Sequence, residues 1–222
     1  MTTLKSTSAP RDPYLVYLDT TTLVDWLLPT ESRHPEAKAL VEVFHRYQAP
    51  TYQIQAWTSQ WALTEAHSVL YKKALEKKLG IRVRDLDSRK YFPPDVACLQ
   101  EASITLAKLQ VDLPQVIYFR VDRPDYEVWD ITYELARQTG IYPADSLHIA
   151  TAIRWGCSML VSTDKDLLNK IIYHRTTVIE QLLRGAFRAS TPPPFEACPL
   201  KSVGLRKLIP FAQMRLKQLG YV

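Results

Sequence analysis

Four acids in this 222-residue chain stand where chemistry could be done. Asp19 closes the β-prone run YLVYL, Asp164 closes MLVST, Asp145 heads the apolar run of PADSLHIATAI, and Glu65 lies among Trp61, Leu63, Val69 and Leu70. In open α/β sheets ligands bind in the crevice at the carboxyl ends of strands, the position expected for Asp19 and Asp164. Asp145 and Asp164 are one helix and one strand apart, so a single unit can bring both to the same rim. Each acid also has an ordinary structural use. Asp19 and Asp145 can cap helices, Asp164 can serve a turn, and Glu65 needs a partner because an unpaired buried carboxylate is costly. Two unit charges about 4 Å apart repel by about 4 kcal/mol at an effective dielectric near 20, so gathered carboxylates must share protons or hold a cation. Oxygen-only ligands favour Mg²⁺ or Mn²⁺. Such a site suits phosphodiester hydrolysis, the metal activating water and steadying charge on phosphorus.

The elements that must position these acids are legible from hydrophobic spacing. Strand Tyr14–Leu18 runs into a helix through TTTLVDWLL, and a second helix spans about His34 to Tyr47, carrying Ala37, Leu40, Val41 and Phe44. A short strand is expected near Tyr52 to Ala56 and a helix from about Ser59 to Leu79, closed by Gly80. The charged, proline-containing stretch around 82–94 reads as a loop, followed by a helix over about Pro94 to Leu109. A strand over Gln115–Val121, a helix ending at Gly140, a helix from about Ala144 to Trp155 and a strand over Ser158–Ser162 follow. YHRTTVI reads as a further strand. Alternating strands and helices predict an α/β fold with a parallel sheet.

With 46% hydrophobic and 23% charged residues the composition is that of an ordinary globular chain. No stretch approaches the roughly 18 apolar residues of a membrane span and no signal-peptide pattern opens the chain, so a cytoplasmic protein without membrane contact is expected. Cys98, Cys157 and Cys198 are widely spaced and form no C-x-x-C, which argues against a disulfide framework or a zinc site. The net charge of +5 is concentrated late: Gln181 to Val222 holds seven Lys and Arg against one acid, Glu196. A basic segment of this kind attracts a phosphate backbone or an acidic partner. The expected organisation is an N-terminal segment over 1–13, a domain over 14–180 and a basic appendage over 181–222, the proline-rich STPPPFEACP breaking regular structure.

The segments YLDTTTLVDWLL, WALTEAHSVLYK, PADSLHIATAIRWG and MLVSTDKDLL, in this order, resemble the four acidic motifs of the PIN-domain family, especially its bacterial VapC-type toxins. The resemblance covers about Tyr14 to Glu180, with a central piece longer than in a minimal member and the basic tail as an addition. It implies a three-layer α/β/α sandwich around a central, mainly parallel sheet, a homodimer, and a Mg²⁺- or Mn²⁺-dependent endoribonuclease acting on RNA. By position, Asp19, Glu65, Asp145 and Asp164 would be the catalytic, metal-binding acids. Thr20, Thr163 and Asp166 match residues that support such a site, although ordinary capping and turn hydrogen bonds are the simpler explanation of them. In toxins of this type an antitoxin inserts a segment near the acids, so a toxin–antitoxin pair is implied.

The same residues admit other readings. A dehalogenase-like phosphatase needs a second Asp two residues after the first, and this chain has Thr21 there. A PIN-fold module that binds RNA or protein without cutting remains open, because fold does not fix function. Trp57, Trp61 and Glu65 would share a helical face if the helix began early enough, but an aromatic stripe is more often core. His148 neighbours Asp145 on the helix and could donate to a phosphate or carboxylate, although packing is the commoner use of such a histidine.

Overall fold

The computed structural model describes residues 14–46, 54–82, 94–116, 119–187 and 195–201. Strands β1 (Tyr14–Leu18), β2 (Ile54–Ser59), β3 (Phe119–Asp122), β4 (Met159–Ser162) and β5 (Glu196–Pro199) form one sheet in the order β3-β2-β1-β4-β5. Every pairing is parallel, with Tyr17 level with Trp57 and Leu160. From β1 the chain winds outward through β2 to β3 and then returns to the other side of β1 for β4 and β5. The order therefore reverses between β1 and β4, the place where open parallel sheets bind ligands.

Strand periodicity divides the interior into two layers. Val16, Leu18, Ile54, Ala56, Met159 and Val161 face one side. There they pack on residues from helices α1 (Thr20–Leu27), α2 (His34–Arg46), α3 (Gln60–Leu79) and α4 (Val96–Val116). Tyr17, Trp57 and Leu160 face the other side. Their cover comes from α5 (Tyr126–Thr139), α6 (Pro143–Arg154), α7 (Lys165–His174) and α8 (Glu180–Phe187). This is the expected three-layer α/β/α sandwich. Gly80 and Gly140 end α3 and α5 at φ 65° and 67°, a left-handed backbone that glycine adopts at no steric cost. No helix among the described residues is long and apolar enough to cross a membrane.

Several expectations are corrected. The strand expected over Gln115–Val121 begins only at Phe119, because α4 continues to Val116 through Pro114. Leu109 and Leu113 extend the buried stripe of α4, while Pro114 lies on its exposed side, where water can satisfy the carbonyl that proline leaves unpaired. YHRTTVI is helical: Arg175–Ile179 form a π-helical turn joining α7 to α8, with Val178 and Ile179 buried. The last strand instead comes from EACP, inside the stretch read as an appendage, and Phe195 and Leu183 from that stretch are fully buried. Proline survives in β5 because an edge strand has one side free of ladder bonds. β2 runs on to Ser59, so Trp57 belongs to a strand and shares no helical face with Trp61 or Glu65. The 1–13 segment, most of the 82–94 loop and the tail beyond 201 lie outside the described residues.

Candidate active site

Asp19 follows directly on β1 and caps α1, its Oδ1 accepting from Thr22 N at 3.0 Å. The cap does not exhaust the side chain. Ser162 Oγ, at the end of β4, donates to Asp19 Oδ2 at 2.6 Å, and Thr21 Oγ1 donates at 3.0 Å. The same Ser162 Oγ accepts from Asp164 N at 2.8 Å, and Thr21 Oγ1 accepts from Thr163 N at 3.0 Å. Two hydroxyls thus join the end of β1 to the end of β4, with Asp19 and Asp164 on either side of the join. Asp164 is exposed and caps α7, its Oδ1 taking Asp166 N at 2.8 Å and Leu167 N at 3.1 Å.

Glu65 is brought in from α3. Its Oε2 accepts from Thr20 Oγ1 at 2.7 Å and lies 2.8 Å from His148 Nε2. On the far side of the imidazole, Nδ1 lies 2.9 Å from Tyr17 OH, which is also 2.9 Å from Ser59 Oγ. An ionised carboxylate only accepts, so Nε2 carries the proton that faces Glu65. Asp145 is not the N-cap of α6. Tyr142 holds that place without a side-chain hydrogen bond, and Pro143, with φ preset for a helix, starts α6 before the acid. Asp145 sits within the first turn, where its charge suits the helix dipole. Freed from capping, its Oδ2 accepts from Lys170 Nζ on α7 at 2.9 Å. The hydrogen bond to Asp145 holds that ammonium above its usual range, helped by the charges of Asp145, Asp164 and Asp166.

Environment separates the acids. Burial raises the Asp19 carboxyl above its ordinary value, despite His148 and the donors Ser162, Thr22 and Thr21. Burial also works to raise Glu65, but the hydrogen bonds of His148 and Thr20 outweigh it and hold that carboxyl below the usual range. Carboxylates pushed apart in this way can take different parts in one reaction.

Thr20 therefore supports Glu65, while Thr163 and Asp166 meet the site through their backbone N–H groups. Sequence reasoning missed Thr21, Ser162, Tyr17, Ser59 and Lys170. It also passed over Asp25 of α1, which is 7% exposed and pushed up to about 6 by burial and by Glu31. The signals were present: a threonine run after Asp19, Ser162 two residues before Asp164, and His148 three residues after Asp145. A third strand ends in an acid, Asp122 on β3, but it faces Arg120 at 3.3 Å, two strands away from β1.

Oxygen donors of this kind fit a hard divalent cation. Asp19 is 3% exposed, so a cation beside it would offset the burial that now raises its carboxyl. Among the described residues no three of His, Cys, Asp or Glu form a ready-made cage.

The chain was compared with known proteins. No curated protein matches it in sequence. Among solved structures it is similar to VapC20 of Mycobacterium tuberculosis, described as a Sarcin-Ricin loop cleaving toxin, at 17% identity and a TM-score of 0.45, covering 68% of this chain and 92% of that one. The PIN domain model matches residues 16–171, which takes in the end of β1, all of β4 and all four acids, and the protein belongs to the PIN domain family.

Proposed function

We propose that this protein is a Mg²⁺- or Mn²⁺-dependent endoribonuclease that hydrolyses RNA phosphodiester bonds, working as a homodimeric toxin whose partner is a protein antitoxin. The observation that carries this reading is the pair Asp19 and Asp164 at the ends of β1 and β4, where the strand order reverses, joined through Ser162. Family membership supports it independently. Asp19, Glu65, Asp145 and Asp164 would hold the cation, which when bound supplies an activated water and counter-charge for the scissile phosphate. Glu65, kept ionised by His148 and Thr20, is the acid suited to orient the attacking water. Ser162 and Thr21 hold the Asp19 carboxylate in place at the end of β1 by donating to its two oxygens.

Purified protein incubated with a panel of RNAs should cut them with Mg²⁺ or Mn²⁺ and not in EDTA. Asp19→Asn and Asp145→Asn should each lower the rate by about 100-fold or more, a loss of about 2.7 kcal/mol of transition-state stabilisation. Cleavage that survives EDTA, or both substitutions, would overturn the reading. RNA binding without cleavage would replace it with a non-cutting module on the same fold.

A further inference from the structure

We infer that His148 is the positioning residue of Glu65: together with Thr20 it clamps one carboxylate oxygen, so that the other is presented to the cation and the attacking water. The inference rests on the proposed nuclease reading. Its observation is the division of labour within one carboxylate. Thr20 Oγ1 and His148 Nε2 both fall on Oε2, at 2.7 and 2.8 Å, and neither takes Oε1.

The clamp is built from the interior outward. His148 is 5% exposed and lies in the buried run of α6 from Ser146 to Ile153. Tyr17, 1% exposed, stands edge-on to the imidazole with ring centroids 5.9 Å apart and holds Nδ1. Ser59, fully buried, holds Tyr17 in turn while capping α3, the helix that carries Glu65. One arrangement satisfies every group: Ser59 donates to Tyr17, Tyr17 to Nδ1, and Nε2–H to Glu65. Every bond then points at the carboxylate, and such chains polarise one another. A packed histidine needs no such alignment, and nothing in packing requires both donors on the same oxygen. The chain ties β1, β2, α3 and α6 to the orientation of one side chain, as the outer hydrogen-bond partners of metal ligands commonly do.

The test compares wild-type protein with His148→Leu, His148→Gln and Tyr17→Phe, reading Mn²⁺ affinity by calorimetry, kcat and KM on RNA, and thermal unfolding. The Gln side-chain nitrogen lies as many bonds from Cα as His Nε2 and can donate to the same oxygen. His148→Leu should weaken Mn²⁺ binding and lower kcat by about 10- to 100-fold, the range for lost outer partners of metal ligands, with KM for RNA little changed. His148→Gln should return both to within a few-fold of wild type. His148→Leu that folds and keeps Mn²⁺ affinity and kcat, or His148→Gln as impaired as His148→Leu, overturns the inference. If His148→Leu does not fold, Tyr17→Phe decides, with weaker Mn²⁺ binding supporting the clamp and unchanged binding overturning it. Wild-type protein that binds Mn²⁺ but cuts no RNA overturns the nuclease reading alone, and the Mn²⁺ measurements still decide the clamp. Wild-type protein that binds no Mn²⁺ overturns both.

Discussion

Asp25 should cost the protein stability at neutral pH, and removing its charge should return it. The residue is 7% exposed on α1, and its carboxyl titrates at about 6 because burial and the nearby charges of Glu31 and Asp19 disfavour ionisation more than Thr163 and Arg33 favour it. An unfolded Asp titrates near 3.9. Between about pH 4 and pH 6 the folded state therefore binds more protons at Asp25 than the unfolded one, so this group's contribution to stability is full below pH 4 and is lost as pH rises through 6. A shift of about two units corresponds to about 3 kcal/mol at the upper bound, and solvent screening brings this to about 1.5–3 kcal/mol. Asp25→Asn keeps an acceptor for Thr163 and removes the charge. With an unfolding entropy of about 2.1 cal/mol/K per residue, the gain at pH 8 is a rise in Tm of about 3–6 °C. Thermal unfolding followed by circular dichroism in EDTA at pH 4 and pH 8 measures it. The substitution should raise Tm at pH 8 and leave it nearly unchanged at pH 4. An unchanged or lower Tm at pH 8, or an equal rise at both pH values, would refute the reasoning.

Other outcomes follow from the same geometry. Ser162→Ala removes the donor to a buried carboxylate and the acceptor for Asp164 N, so it should cost about 1–3 kcal/mol in chemical denaturation and lower RNA cleavage more than RNA binding. Lys170→Met should change stability by less than about 1 kcal/mol, since the pair with Asp145 is partly exposed. It should also tighten Mn²⁺ binding by about fivefold, the effect of about 1 kcal/mol of relieved repulsion at a few Å in a watery site. Because β5 belongs to the sheet, the basic tail is tested by truncation after Lys201, which removes Arg206, Lys207, Arg215 and Lys217. RNA binding should weaken and the slope of its logarithm against log salt should fall by at most about 3. An unchanged slope would assign the tail to a protein partner.

The parts of the fold governed by strong periodicity were legible. YLVYL, MLVS and the helix closed by Gly80 are marked by apolar spacing and a glycine stop, and the structure has them where expected. The misread elements are those in which burial overrides local preference. Pro114 does not stop α4, because Leu113 is needed under the sheet. Thr176, Thr177 and Val178 favour strands as residues, yet the helix continues through them to bury Val178 and Ile179. EACP was hidden by its proline and by the prolines that precede it in the sequence, although an edge position tolerates Pro199. The positions of the four acids on the elements could be read from the sequence, Asp19 and Asp164 after strands and Glu65 and Asp145 in helices, and their part in the chemistry is the proposal made above. Their partners were harder to read, because Ser162 and Thr21 become significant only when residues 142 and 143 positions apart are brought within a hydrogen bond, and His148, weighed as a donor, meets Glu65 and not its helix neighbour Asp145. The capping expectation for Asp145 failed for a local reason: Pro143 starts the helix first, and the acid turns to Lys170.

The central claim is that the acids at the ends of β1 and β4 hold a divalent cation for RNA hydrolysis. Anomalous diffraction from crystals grown with Mn²⁺ tests it most directly. The account predicts a manganese peak among Asp19, Glu65, Asp145 and Asp164 in wild-type crystals and none there in Asp19→Asn crystals. Manganese bound elsewhere on the protein, with this rim empty in the wild type, would contradict it.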